Sequence, residues 1–141
     1  MAEGCCQQFM IRSANVSDIP QIDALDPFAG DRAREIAEHR LFVIEKANAI
    51  VGYVSWQRAG FVGRDYITFL FVREDHRRCG LATALLDAGQ RAIGIGRLFI
   101  STEADNQAML ALLPRQGWTH AGAVEGTNEN SQAEVFFYKD L

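Results

Sequence analysis

The chain has 141 residues, of which 48% are hydrophobic and 23% are charged, and its net charge is −4. This length predicts one domain that buries about two-thirds of the surface of its unfolded chain. The acidic balance argues against nucleic acid as a partner, because phosphate-binding proteins usually carry a basic excess. No apolar run approaches the ~20 residues of a membrane helix, so we expect no membrane partner.

The predicted elements alternate between strands and helices along the chain. Residues 1–8 are predicted to be a flexible lead-in. The predicted strands are Phe9–Arg12, Leu41–Glu45, Ile50–Trp56, Tyr66–Val72, Arg97–Thr102, Trp118–Val124 and Ala133–Tyr138. Helices are predicted to begin at Ser17, Asp31, Gly80 and Asn106, and the second of them, capped by Asp31, is predicted to run from Arg32 to Arg40. The polar or glycine-containing stretches Asp26–Gly30, Gln57–Arg64 and Glu125–Gln132 are predicted to be breaks or loops.

Cysteine and histidine usage indicates neither a disulfide framework nor a metal site. Cys5 and Cys6 are adjacent, Cys79 stands apart, and the three histidines are far apart in the sequence. The beginning of the chain lacks a basic segment followed by an apolar core, as a secretion signal would have. We therefore expect a cytoplasmic protein that binds no metal.

The most informative stretch is the charged loop between the fourth strand and the helix that Gly80 opens. The first N–H groups of such a helix, with the positive end of its dipole, form a seat for an anion such as pyrophosphate. Arg77 and Arg78 add positive charge, and Gly80 lets a ligand approach where a Cβ would stand. The alternative is a plain strand-loop-helix connection, although such a turn needs no paired arginines.

Two spaced motifs in this context resemble those of a known family. Arg77-x-x-Gly80-x-Ala82 matches the signature Arg/Gln-x-x-Gly-x-Gly/Ala, and an apolar stripe of leucines follows it. Asn106-x-x-Met109-x-x-Leu112-Leu113-x-x-x-Gly117-Trp118 follows the pattern Asn-x-x-Ala-x-x-Leu-Tyr-x-x-x-Gly-Phe in spacing. Both patterns belong to the GNAT superfamily of acyl-CoA-dependent N-acyltransferases, and the chain is identified as a member from its motifs and its element order.

The resemblance implies the fold and the cofactor. We expect a single-domain α/β GNAT fold over residues 9–141, with a mixed central sheet of about seven strands flanked by about four helices. The cofactor implied is acetyl-CoA, as acyl donor. The backbone of Leu70, Phe71 and Val72 would pair with its pantetheine arm like an added strand, while the side chains pack in the core. A backbone N–H at or near Val72 would polarise the thioester carbonyl.

The family's pyrophosphate-binding and pantetheine-binding residues also map onto this chain. The backbone around the pyrophosphate would come from Arg77, Arg78, Cys79, Gly80, Leu81 and Ala82, with the Thr83 hydroxyl as a further contact. Cys79 is interpreted as a small residue rather than a nucleophile, since no pattern in the sequence shows a neighbouring histidine that would activate it. The Asn106 side chain would bind the pantetheine amides, or else it caps its helix.

The proton-transfer residues of the family are missing from their usual positions. The tyrosine that often protonates the departing thiolate falls at Leu113, and the glutamate base of histone-modifying members falls at Tyr66. A phenol with a pKa of ~10 is a poor base at neutral pH. The remaining candidates are Glu103, Tyr66, Thr68 and a bound water, and we expect alignment of the reactants to supply most of the catalysis.

The predicted activity is transfer of the acetyl group of acetyl-CoA to a primary amine of a small molecule or peptide. The acceptor pocket is predicted around Asp23–Asp31, Gln57–Arg64 and Glu125–Glu134. The carboxylates of Asp26, Asp31, Glu125 and Glu129 would attract a cationic acceptor there, and the alternative is that they belong to solvated loops. The alternative is a non-catalytic acyl-CoA-binding or regulatory module, which the leucine at position 113 keeps open. Dimers are common among relatives, so a homodimer is also an expectation.

Overall fold

The computed structural model describes residues 8–27 and 30–141. Within these residues the elements follow the predicted order, with seven strands and four α-helices. The strands are β1 (Phe9–Ser13), β2 (Leu41–Lys46), β3 (Ala49–Phe61), β4 (Arg64–Val72), β5 (Arg97–Glu103), β6 (Thr119–Val124) and β7 (Glu134–Asp140). The helices are α1 (Ile19–Leu25), α2 (Arg32–Ala37), α3 (Leu81–Ile93) and α4 (Gln107–Arg115). Residues 1–7 of the predicted lead-in, and residues 28–29 of the predicted break, lie outside the described residues.

The sheet has the order β1-β2-β3-β4-β5-β7-β6 and is mixed. The pairs β1–β2, β2–β3, β5–β7 and β6–β7 are antiparallel, whereas β4 and β5 are parallel. The parallel ladder holds two residue pairs, Asp65–Leu98 and Tyr66–Phe99. Strand β4 continues to Val72 beyond that ladder.

The prediction of a loop over Gln57–Arg64 is wrong, because β3 continues to Phe61 and β4 begins at Arg64. Val62 and Gly63 both have positive φ, 50° and 77°, which suits a two-residue hairpin turn. Ala59 also has a positive φ, of 53°, so the strand is locally irregular there. Gly60 and Gly63 made this segment resemble a loop, whereas most of it is strand.

Two helix boundaries also differ from the predictions. Ser17 does not cap α1; a 3-10 turn, Val16–Asp18, precedes the helix, and the Asp18 carboxylate accepts a hydrogen bond from the Asn15 N–H at 2.8 Å. Helix α2 ends at Ala37, three residues before the predicted Arg40. Its predicted start is confirmed, because Asp31 accepts a hydrogen bond from the Arg34 N–H at 3.2 Å.

Contacts group the chain into two compact units, which we describe separately. Among the described residues, the first comprises 8–27, 30–56 and 68–93. Its core contains Ile22, Leu41, Val43 and Tyr53, each at most 1% exposed, and Phe69 and Phe71 of β4 pack against it. The predicted leucine stripe of α3, formed by Leu81, Leu85 and Leu86, is confirmed as fully buried.

The second unit comprises residues 57–67 and 94–141. One set of its apolar side chains is buried: Ile67, Leu98, Ile100, Leu113, Trp118 and Phe137. A second, half-buried set is aromatic, and its members lie close together: Phe61, Tyr66, Phe99, Phe136 and Tyr138. Ring centroids of Phe61 and Phe136 are 4.9 Å apart with nearly parallel planes.

Gly52 of β3 is required by a close approach of two strands within the first unit. A Cβ placed on Gly52 would lie 2.6 Å from the Phe71 carbonyl oxygen and 3.3 Å from the Val72 Cα. Neither backbone atom can move without displacing the end of β4. We therefore expect Gly52→Ala to lower the free energy of unfolding by about 1–3 kcal/mol, the usual range for overpacking. Denaturant unfolding measures this, and an unchanged transition midpoint would contradict the close approach.

In the described ranges, no helix is long and apolar enough to cross a membrane. The same residues contain no group of three or more His, Cys, Asp or Glu side chains placed to hold a metal ion.

Candidate functional site

The loop between β4 and α3 has the backbone conformation that an anion seat requires. Arg78 and Gly80 both have positive φ, 67° and 77°, so the chain turns sharply before the helix begins. The Ala84 N–H donates to the Gly80 carbonyl at 3.0 Å, which is the first hydrogen bond of α3. The N–H groups of the residues between them, Leu81, Ala82 and Thr83, therefore have no acceptor inside the helix.

Space for a ligand lies directly over this loop. A Cβ built on Gly80 meets no heavy atom of the described residues within 4 Å. The Arg78 side chain is exposed and makes no ion pair with any residue that the structure describes. The cradle thus combines open space, helix N–H groups and a guanidinium without a carboxylate partner, which suits a phosphate group.

Arg77 fixes the loop to the end of β4. Its Nε donates to the Val72 carbonyl at 2.9 Å, and its guanidinium carbon lies 5.7 Å from the centroid of the Phe71 ring. The side chain therefore links the loop to the strand segment predicted to pair with the pantetheine arm. Since Arg77 is occupied in this way, Arg78 is the better placed of the two to contact an anion.

Other charges near the loop neutralise one another. Arg73 makes two hydrogen bonds to Asp75, at 2.7 and 3.1 Å, and the His76 Nδ1 lies 2.8 Å from the same carboxylate. The Arg73 guanidinium, followed by His76, holds the pKa of Asp75 below its ordinary value. Cys79 is disulfide-bonded, which the sequence did not predict, and its sulfur is not a thiol nucleophile in this state.

Strand β4 contributes an apolar segment and one unsatisfied hydroxyl. Val72 is buried, and Leu70 and Phe71 are half-buried. The Oγ1 of Thr68 is buried and has no hydrogen-bond partner among the described residues. Buried hydroxyls in folded proteins normally have a hydrogen-bond partner, so this one can bind a ligand that reaches the strand.

Asn106, in the second unit, is the N-cap of α4. Its Oδ1 accepts a hydrogen bond from the Met109 N–H at 3.2 Å, and the side chain is exposed. The capping alternative is therefore confirmed. The cap occupies the side-chain oxygen and leaves the two N–H bonds of the amide as donors, so a ligand role stays a prediction.

Both candidates for proton transfer, the Glu103 carboxylate and the Tyr66 phenol, form hydrogen bonds with other side chains. Glu103, the last residue of β5, accepts a hydrogen bond from the Asn130 amide. The Tyr66 hydroxyl lies 2.6 Å from the Ser101 Oγ, which in turn lies 2.6 Å from a carboxylate oxygen of Glu134. The sequence assigned no proton-transfer role to Ser101 or Glu134, because only the register of β5 and β7 brings them close to Tyr66.

Leu113, at the position of the family's acid, is 0% exposed and belongs to the core of the second unit. No proton donor stands there.

Asp26 is not available to attract a cationic acceptor. It is 7% exposed, and the Tyr53 hydroxyl donates to its carboxylate at 2.6 Å. The Arg32 guanidinium lies 4.9 Å from the centroid of the Tyr53 ring and donates to the Asp23 carboxylate at 2.7 Å. These side chains join α1 and α2 to β3. Burial, followed by the hydrogen bond to Asp26, raises the pKa of Tyr53 well above its ordinary value.

Comparisons with known proteins agree with the fold. The chain resembles a GNAT-family acetyltransferase of Bacillus cereus with 20% identity and a TM-score of 0.77, covering 95% of this chain and 98% of that one. It resembles YncA of Salmonella typhimurium, solved with its cofactor acetyl-CoA, at 18% identity, with a TM-score of 0.78 and coverage of 96% and 95%. It also resembles Naa50 of Arabidopsis thaliana, solved with the bisubstrate analogue CoA-Ac-MVNAL, at 15% identity, with a TM-score of 0.80 and coverage of 96% and 100%.

These likenesses confirm the predicted α/β GNAT fold. No curated protein sequence matches the chain. The family model for the acetyltransferase (GNAT) family matches residues 11–118, which is most of the chain. The chain therefore belongs to the GNAT acetyltransferase family.

Proposed function

We propose that this protein is an N-acetyltransferase that transfers the acetyl group of acetyl-CoA to a primary amine. The observation that carries the proposal is the cradle over Gly80, where open space meets the first N–H groups of α3 and the exposed Arg78 guanidinium. A pyrophosphate carries charge and acceptor oxygens that match these donors. Family membership supports acetyl-CoA as the molecule that brings it.

The rest of the cofactor would follow β4. The ladder with β5 ends at Tyr66, while β4 continues to Val72, and the pantetheine amides would pair with the Leu70–Val72 backbone as an added strand. The buried Thr68 hydroxyl has no hydrogen-bond partner among the described residues, and this supports a ligand beside the strand. The N–H bonds of the Asn106 amide would supply a further contact to the pantetheine.

In the reaction, the neutral amine attacks the thioester carbonyl carbon, forming a C–N bond. The C–S bond then breaks, the electron pair leaves with the CoA sulfur, and the amine loses one proton. Holding the two reactants in line supplies several kcal/mol of the barrier. Thiolates are good leaving groups, so the buried leucine at position 113 is compatible with turnover.

The acceptor is a small-molecule or peptide amine. Of the predicted acidic attractants, Glu125 and Glu129 are exposed and remain available, whereas Asp26 is buried. We further propose a cytoplasmic location, no nucleic-acid partner in view of the net charge of −4, and assembly as a homodimer.

A non-catalytic acyl-CoA-binding module is the second candidate, and the fully buried Leu113 is the observation that favours it. A panel of primary amines incubated with acetyl-CoA and the purified protein distinguishes the two functions. Release of free thiol with at least one amine supports the enzyme. Calorimetric binding of CoA with no thiol release from any amine would favour the module, and absence of CoA binding would contradict both.

Replacing Asn106 separates its capping role from its proposed ligand role. Asn106→Ala is expected to weaken CoA binding by about 1–2 kcal/mol, the usual cost of leaving one hydrogen-bonding partner unsatisfied. It should also lower the melting temperature slightly, because the cap is lost. Asn106→Ser keeps a capping oxygen but has no amide N–H, so it should retain stability and still lose CoA affinity. If Asn106→Ser binds CoA like the wild type, Asn106 is a cap only.

A further inference from the structure

A continuous chain of hydrogen bonds crosses three strands of the second unit, from Tyr66 on β4 through Ser101 on β5 to Glu134 on β7. Both links between oxygen atoms measure 2.6 Å. Ser101 has one hydroxyl proton and donates it to the Glu134 Oε2. The Tyr66 hydroxyl must therefore donate to the Ser101 Oγ, so both protons point towards Glu134.

Glu134 receives hydrogen bonds on both of its carboxylate oxygens. Asn128 donates its Nδ2 to the Oε1 at 3.0 Å, while Ser101 donates to the Oε2. Both of these partners are donors, as an ionised carboxylate requires, because it can only accept hydrogen bonds. The chain of hydrogen bonds thus ends on a group that can take up a proton.

The phenol itself sits in apolar surroundings. The Tyr66 ring centroid is 5.8 Å from that of Phe61 and 6.5 Å from that of Phe136. Burial raises the pKa of Tyr66, the Ser101 hydrogen bond lowers it, and the Glu134 charge raises it. The hydroxyl is therefore neutral at physiological pH, and it keeps lone pairs that can accept a proton as its own proton leaves.

We propose that Tyr66, Ser101 and Glu134 form a proton relay that removes the proton of the acceptor amine. This inference rests on the proposed acetyltransferase function. As the C–N bond forms, the amine proton passes to the Tyr66 oxygen, the tyrosine proton to the Ser101 oxygen, and the serine proton to the Glu134 carboxylate. The C–S electron pair leaves with the CoA sulfur. Solvent then takes the proton from half-buried Glu134, and the hydroxyls return to their starting orientation.

The position of Tyr66 in the sheet favours this role. Tyr66 forms the last pair of the β4–β5 ladder, with Phe99 opposite, so it lies where the pairing of β4 with β5 ends. In the relay, Tyr66 would be the catalytic residue, because it contacts the amine. Ser101 and Glu134 act through it and are positioning residues.

The carboxylates of Glu103 and Asp65, next to the relay, have their own partners. Glu103 is directly opposite Glu134 in the β5–β7 ladder and accepts from Asn130. Asp65, next to Tyr66 on β4, pairs with Arg58 at 2.7 Å. Glu134 is the one charged side chain that shifts the pKa of Tyr66 among the residues described.

The relay is tested by steady-state kinetics with an amine that the thiol-release panel identifies. Tyr66→Phe, Ser101→Ala and Glu134→Gln should each lower kcat by roughly a hundredfold, the low end for a positioned base, and leave the calorimetric Kd for CoA unchanged. Ser101→Thr keeps the hydroxyl and should stay within about threefold of wild type in kcat, since only the hydroxyl takes part in the relay. Tyr138→Phe, on the same sheet, and Asp87→Asn, on the exposed side of α3, are controls that should leave kcat unchanged.

Two further readouts distinguish a relay from a structural role. The wild type should show a solvent deuterium isotope effect with a curved proton inventory, because several protons move together, and Ser101→Ala should lose the curvature. Absorbance titration of the unliganded protein should show a lower Tyr66 pKa in Glu134→Gln, since the nearby negative charge is gone. The absorbance transition that is absent in Tyr66→Phe is the one that belongs to Tyr66.

The outcomes also separate the relay from the proposed function. If the wild type turns over an amine and Ser101→Ala and Glu134→Gln keep its kcat, the relay is wrong and the acetyltransferase stands. If no amine in the panel is acetylated, the proposed function and the relay both fail. Variants that unfold, as judged by circular dichroism, are replaced in the comparison by Ser101→Cys and Glu134→Asp, which should retain partial activity if the relay operates.

Discussion

Gly80→Val is expected to abolish CoA binding while leaving the fold largely intact. The valine Cβ and its two methyl groups would occupy the open space where we place the pyrophosphate, and a β-branched residue also resists a φ of +77°. A charge-assisted hydrogen bond contributes about 1.5–3 kcal/mol. Loss of two such bonds would weaken binding by about a hundredfold or more. Isothermal titration calorimetry with CoA measures the change.

A matched control separates the lost cradle from backbone strain. Gly94, after the end of α3, has a φ of +89°, and a Cβ there also meets no heavy atom within 4 Å in the part of the chain that the structure describes. Gly94→Val should therefore show a similar loss of thermal stability but unchanged CoA affinity. An unchanged CoA affinity in Gly80→Val would refute the pyrophosphate assignment. An equal loss of CoA affinity in both variants would show that backbone strain alone causes the loss.

The parts of the molecule that the sequence predicts best are encoded locally. The helix after Gly80 can be predicted from the sequence because Leu81, Leu85 and Leu86 follow the helical period, and all three are buried. The turn before this helix can be predicted because Gly80 is a glycine, the residue that adopts positive φ without strain. Asn106 shows the limit of such patterns, since the same spacing predicts both a cap and a ligand.

The parts that sequence reasoning missed depend on long-range register. Ser101 looks like any polar residue of a strand, and only the pairing of Ser101 with Phe136 places it near Glu134. Asp26 looks like a solvated loop residue, but Tyr53, 27 positions away, buries it and donates to it. The sequence also favours a catalytic mechanism without a dedicated base, under which Tyr66→Phe costs less than about a hundredfold; the hydrogen-bonded chain gives a physical reason to expect more.

The second large effect that we expect is on stability, at the ion cluster that joins β1, the following 3-10 turn and β2. Arg12 donates to both carboxylate oxygens of Asp18, at 2.7 and 2.9 Å, and to Glu45 at 2.7 Å. Asp18 is 5% exposed, so Arg12→Ala would leave a buried carboxylate without its cation. Breaking a fully buried pair costs about 3–5 kcal/mol; because the Arg12 side chain is 28% exposed, we expect about 2 kcal/mol.

The pH dependence identifies the cause of that loss. The hydrogen bonds from Arg12 hold the pKa of Asp18 below its ordinary value. A carboxyl whose pKa is lower in the folded state stabilises the fold above its unfolded pKa of about 3.9, and this contribution is lost as the pH falls through the folded value. The difference in unfolding free energy between wild type and Arg12→Ala should therefore be full at pH 7 and shrink below about pH 4. Denaturant unfolding of both proteins across this pH range tests the prediction.

Arg97→Ala is the control, because it breaks an exposed pair with Asp140 and should have little effect at either pH. A difference between wild type and Arg12→Ala that persists unchanged into acid would show that Arg12 acts through packing of its aliphatic stem rather than through Asp18.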